Sequence, residues 1–209
     1  MKRLSLAVLA TCVVANKDDD YPRFAELMDF YAYTWEAIKV TTEDGHILTT
    51  FHITGNSKGL FTPTLPPVII QHGDNSDGAA WMSYYDTGVP MHLQLAEAGY
   101  DVWIGNNRGT EYSQGHTSLT TDDKAFWAWS WAEMGRYDDV ANIKAIKEET
   151  GADKIFYLGW SQGTVQMFYS LAHLEEDFFV DNLHKFVAFA PCTINTKDGP
   201  ESYYENTLY

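Results

Sequence analysis

The 209 residues include 29 Asp and Glu against 14 Lys and Arg, a formal net charge of −15, and 45% are hydrophobic. The length suffices for one domain with a substantial core. So large a surplus of carboxylates repels a phosphate backbone, which argues against nucleic acid as a partner.

Lys2 and Arg3 precede an uncharged stretch running to Val14, and Val13-Val14-Ala15 supplies small residues suited to cleavage. This is the pattern of a secretory signal peptide, and the stretch is shorter than the ~20 residues that span a bilayer. The expectation is a signal at 1–15, a single domain at 16–209, no transmembrane segment after cleavage, and a secreted or lysosomal location. With Cys12 inside the signal, Cys192 is left alone and no internal disulfide forms. Cys192 ends an apolar run and is expected to be buried.

Residues 36–42 and 47–54 are rich in β-branched types and flank Glu43-Asp44-Gly45, the signature of an antiparallel hairpin. Residues 56–67 carry Gly59, Pro63, Pro66 and Pro67 and are expected to form a loop. Val68-Ile69-Ile70-Gln71 then reads as a strand buried on both faces. Helix is expected over 89–98, closed by Gly99, and strand over 100–104. A helix from about 138 to 150 follows, capped by Asp138, with Val140, Ile143 and Ile146 as its buried stripe and Gly151 as its stop. The last strand covers 186–190. Alternating strands and helices predict an α/β domain with a mostly parallel sheet.

The chemistry concentrates at Gly159-Trp160-Ser161-Gln162-Gly163. An apolar strand leads in, and Val165, Phe168, Leu171 and Ala172 recur at helical spacing afterwards. A Gly-x-Ser-x-Gly turn between strand and helix is a nucleophile elbow, in which the two glycines allow a tight turn and the serine hydroxyl stands at the carboxyl end of the sheet. A second loop, His72-Gly73-Asp74, ends another strand. A backbone amide from it could join that of Gln162 to hold a tetrahedral oxyanion. No metal-ligand spacing and no phosphate-cradling loop is present, so no cofactor is expected.

Several segments together resemble the acid lipase family, which includes gastric and lysosomal acid lipases. They are Gln71-His72-Gly73 with Trp81 downstream, Gly99 to Asn106 leading to Arg108-Gly109, Phe126-Trp127 through Ser130-Trp131 and Glu133-Met134 to Tyr137-Asp138, and Ser161 to Thr164. The resemblance covers about 31–191. It implies an α/β-hydrolase fold truncated after the sixth strand or so, without the lid and last strands. It also implies a lipid ester hydrolase acting on triacylglycerols or sterol esters, in which Ser161 is the nucleophile and the amides of Asp74 and Gln162 form the oxyanion hole. A lipid–water interface is then a compatible partner.

This sequence departs from the family pattern in three ways. Trp160 stands where His is usual, Asp74 stands where an apolar residue is common, and nothing after His184 is histidine. The family order places the acid and then the base after the serine, so neither triad partner is expected in this chain. His72 and His116 are nearest by sequence logic but read first as structural, as do Arg108, Glu133, Tyr137 and Asp138. The aromatic run Phe126, Trp127, Trp129 and Trp131 reads as core packing. The alternative function is a non-catalytic relative that binds a lipid or a partner.

Overall fold

A computed structural model describes residues 20–82, 88–174 and 176–192. Its centre is a sheet with strand order β1-β2-β5-β4-β7-β8. The strands are β1 (Tyr33–Thr41), β2 (His46–Asn56), β4 (Leu65–Gln71), β5 (Tyr100–Gly105), β7 (Ile155–Trp160) and β8 (Leu183–Phe189), with the short β3 (Gly59–Leu60) and β6 (Gly115–His116) both pairing β2. β1 and β2 form the expected antiparallel hairpin. Its turn closes at Gly45, whose φ of 99° is open to glycine and strained for other residues. β4, β5, β7 and β8 are parallel. β4 has β5 on one side and β7 on the other, so the strand order reverses at β4, and a crevice opens beyond the carboxyl ends of such strands.

Side-chain alternation sends Val68, Ile70, Val102 and Ile104 into one core layer and Ile69, Trp103 and Tyr157 into the other. The first layer is closed by α1 (Pro22–Tyr31), whose Phe24 stacks on Phe51 with centroids 3.9 Å apart and meets Trp35 edge-on. Ile143 and Ile146 close the second.

Several features differ from expectation, among them the last strand, β8, which runs over Leu183–Phe189. The loop at 56–67 contains β3 and the start of β4. Pro66 and Pro67 enter the sheet where the β4–β5 register shifts, an irregularity that tolerates a residue without an N–H. The helix expected from 138 begins earlier, at α3 (Trp131–Glu133), where Ser130 and Glu133 form a capping box. A π-helical turn over Met134–Asp139 leads into α4 (Val140–Thr150), so Asp138 lies inside the helical run and caps nothing.

The helix after Ser161, α5 (Gln162–His173), buries Gly163, Thr164, Gln166, Met167 and Ser170, whereas Leu171 is 44% exposed. The π turn presses Gly135 so close to the Gln166 carbonyl and the Ser170 hydroxyl that only small or polar groups fit that face. The apolar residues at 165, 168, 171 and 172 are therefore turned away from it. The remaining helices are α2 (Met91–Glu97), shorter than predicted, and α6 (Glu176–Asn182). Finally, Cys192 is exposed, because the chain leaves the sheet after Phe189.

Candidate active site

Ser161 follows the last residue of β7 with φ 51° and ψ −114°, outside the regions that non-glycine residues ordinarily occupy. Hydrogen bonds at both its N–H and its carbonyl hold it there. Its N–H donates to the Phe189 carbonyl at 3.0 Å, and its carbonyl accepts from the Thr164 N–H at 2.8 Å and the Thr164 hydroxyl at 2.6 Å. The flanking glycines are sterically required. A Cβ on Gly159 would lie 2.6 Å from the Gly163 carbonyl oxygen, and one on Gly163 would lie 2.7 Å from that of Gln71 and 2.9 Å from that of His72. These obstacles are all backbone, so a side chain there cannot be relieved by a rotamer change.

The same packing brings the second predicted loop to the serine. A Cβ on Gly73 would sit 3.0 Å from the Ser161 Cβ, so the β4 loop abuts the nucleophile candidate. Gln162 is the first residue of α5, where the backbone N–H has no intrahelical acceptor and the helix dipole favours negative charge. Asp74 lies in the turn after Gly73 and is exposed. Water around its carboxylate weakens the repulsion that a buried acid would exert on an anion at the amides.

A buried polar layer underlies both loops. His72 donates from Nδ1 to the Gly73 carbonyl at 2.8 Å and accepts at Nε2 from the Asn107 N–H at 3.0 Å. Burial lowers the pKa of this ring from its ordinary value, favouring the neutral form. Asn107 in turn donates to Gln166, which donates to Asp139, and the Tyr157 hydroxyl, 3.0 Å from both, shares its one proton between Asp139 and the Gly163 carbonyl. Beside this layer, Arg108 forks between Asp138 and Asp44. Burial lifts Asp138 to about 6 even though the guanidinium pulls the other way.

Thus Ser161, Gln162, Gly159, Gly163 and the Asp74 loop come together. His72 is adjacent but has both nitrogens engaged. His116 accepts at Nδ1 from the Ser118 and Leu119 amides and packs edge-on against His46. Among the described residues no histidine hydrogen-bonds Ser161. Asp198, a carboxylate that follows β8 in the sequence, lies outside the described residues. Arg108, Glu133 and Asp138 are structural hydrogen-bonders, as expected. In the aromatic run only Phe126 is fully buried, while Trp127 and Trp131 are 44% and 45% exposed.

Sequence reasoning missed Thr164, although a hydroxyl three residues after the serine is a legible turn signal. It also missed Cys192, whose Sγ lies 4.0 Å from the Ser161 Oγ and whose N–H bonds Thr164. No local signal at Cys192 announces that contact. A separate cavity of about 610 Å³ lies at the opposite end of the sheet, near Glu36, His52 and Asp101, away from Ser161.

Residues 66–201 match the family model described as alpha/beta hydrolase fold, and residues 24–84 match a partial alpha/beta-hydrolase lipase region. The chain is 38% identical over 194 residues to Lipase lipl-1 of Caenorhabditis elegans, an alignment covering 89% of this chain and 47% of that one. It is 35% identical over 175 residues to human Lipase member M, covering 82% and 40%. The chain therefore spans about half the length, or less, of these relatives. Among solved structures, an esterase of Pyrococcus furiosus superposes with a TM-score of 0.54 at 19% identity, covering 86% of this chain and 61% of that one. The carboxylesterase CesB of Bacillus subtilis superposes with a TM-score of 0.53 at 14% identity, covering 89% and 53%. At those identities the two structures speak to the fold alone.

Proposed function

Because the chain belongs to the alpha/beta-hydrolase fold family, we propose that it is the nucleophile-bearing part of a serine hydrolase of lipid esters. One observation carries this reading: Ser161 is held at φ 51° at the carboxyl end of β7, against the Gly73 loop. The likeness to proteins named as lipases supports the substrate class. In this reading the Ser161 Oγ adds to the ester carbonyl carbon. The amides of Asp74 and Gln162 receive the negative charge on the former carbonyl oxygen, and collapse of the tetrahedral species expels the alcohol and leaves an acyl-enzyme.

The serine proton needs a base that takes it from Oγ and passes it to the departing alcohol, and among the described residues no histidine hydrogen-bonds Ser161 to play that part. A secreted or lysosomal location, with a signal at 1–15 outside the described residues, accompanies the proposal. Among the described residues no helix is long and apolar enough to cross a membrane.

The test is fluorophosphonate labelling followed by peptide mapping. In a protein that carries the acid and base as well, we expect modification at Ser161 and its loss in Ser161→Ala. Turnover of short-chain esters by this chain should be slow, since a positioned base contributes roughly 10²- to 10⁴-fold. Undiminished labelling of the variant removes Ser161 from the mechanism. The engagement of both His72 nitrogens favours a second reading, a non-catalytic relative that binds a lipid. No labelling at all would move the weight there.

A further inference from the structure

Beside Ser161 the sheet presents rings that the fold does not bury. Trp160 precedes the serine and is 37% exposed, and its registered partner across the β7–β8 ladder, Phe189, is 39% exposed. Registered residues of neighbouring strands share a face, so these two rings stand side by side. Trp81 meets Trp160 edge-on with centroids 5.9 Å apart, and Gly73 packs against the Trp160 ring edge, so the indole is braced from two sides. In the next pair along that face Val187 is 37% exposed while Leu158 is buried in the core, and the first charged side chain on that face of β8 is Lys185.

An apolar strip that begins at a candidate nucleophile, is fixed by packing and stays in water fits a ligand whose reactive carbonyl sits at the serine and whose tail is hydrocarbon. A polar or charged tail would gain nothing from it. We propose that Trp160, braced by Trp81 and continued by Phe189, is the acyl-chain contact of the Ser161 site and determines its preference for long apolar acyl groups. This rests on the reading of Ser161 as the nucleophile for its catalytic meaning, but the contact itself can be measured without turnover.

The experiment titrates the full chain with 9,10-dibromostearate, whose bromines quench indole fluorescence on contact. Saturable quenching is expected. Trp160→Phe should remove much of the amplitude while keeping the affinity, because a ring remains. Trp160→Ala and Phe189→Ser should each weaken binding about tenfold, the loss of one aromatic contact. Trp127→Phe and Trp131→Phe, at exposed rings elsewhere, should leave the affinity unchanged. Near-UV circular dichroism reports whether each variant is folded, and Phe189→Ser carries the test should Trp160→Ala fail to fold. Quenching that ignores Trp160 and Phe189, or that follows Trp131, overturns the proposal. Fluorophosphonate labelling without any saturable quenching overturns it while sparing the nucleophile. Quenching that depends on Trp160 without labelling upholds the contact and removes only the catalytic reading.

Discussion

Three histidines in the interior have burial as the first influence on their protonation. His46 falls from 6.5 to about 4, with Arg108 and His116 adding to the burial and Asp44 opposing it. His92 falls to about 3, and His72 falls as well. For each, the unfolded chain binds a proton at a pH where the folded chain does not. Their stabilisation is therefore complete above the unfolded value near 6.5 and is lost as pH falls toward the folded value. His46→Asn removes one such group. The stability lost between pH 7 and pH 5 should shrink by about 2 kcal/mol relative to the parent, measured by urea unfolding at both pH values. An unchanged difference would show that the His46 ring is hydrated. At this scale the sequence was legible where chemistry is encoded locally. Ser161 and its two glycines announce their turn, whereas Cys192 sat at the end of an apolar run and still emerged into solvent, because exposure is decided by where the chain leaves the sheet.

Between elements, the strongest polar joint is Arg108, a fully buried guanidinium that ties the β1–β2 turn through Asp44 to the π turn through Asp138. Removing the cation strands a buried carboxylate, so Arg108→Ala should cost about 3–5 kcal/mol. Asp44→Asn should cost only about 1 kcal/mol, because that side is partly in water. Equal shifts in the urea midpoints would show that Asp138 contributes little. Arg108 was legible as a loop anchor, but Asp44 read only as a turn residue. Its partner lies 64 positions away, and no local pattern carries such a pairing. The π turn was invisible for a related reason. It inserts at a spot chosen by the contact of Gly135 with α5, and it rotated the buried face of that helix away from the apolar spacing that predicted it. The long strands and their alternation with helices were legible, since a buried parallel strand needs a continuous apolar run wherever it pairs, whereas the two-residue β3 and β6 and the proline-bearing start of β4 were not.

The molecule as a whole couples a strongly acidic surface to an apolar margin. Trp160, Leu171, Val187 and Phe189 are each more than a third exposed, and β8 stands at the end of the strand order. Among the described residues no strand pairs the outer edge of β8, and an open edge next to apolar surface invites association. Residues 16–209, expressed alone, should bind an apolar dye and elute as mixed oligomers, and Val187→Lys should reduce both effects. A dye-silent monomer with a sharp cooperative melt would contradict this. The bond from the Ser161 N–H to the Phe189 carbonyl also sets an order in time. A ribosome adds about 5–20 residues per second. The serine therefore emerges on the order of seconds before the carbonyl that holds its backbone in place, and until then nothing from β8 offsets the strain of its turn. The elbow is therefore made in two stages: its sequence comes first, and its shape waits for β8.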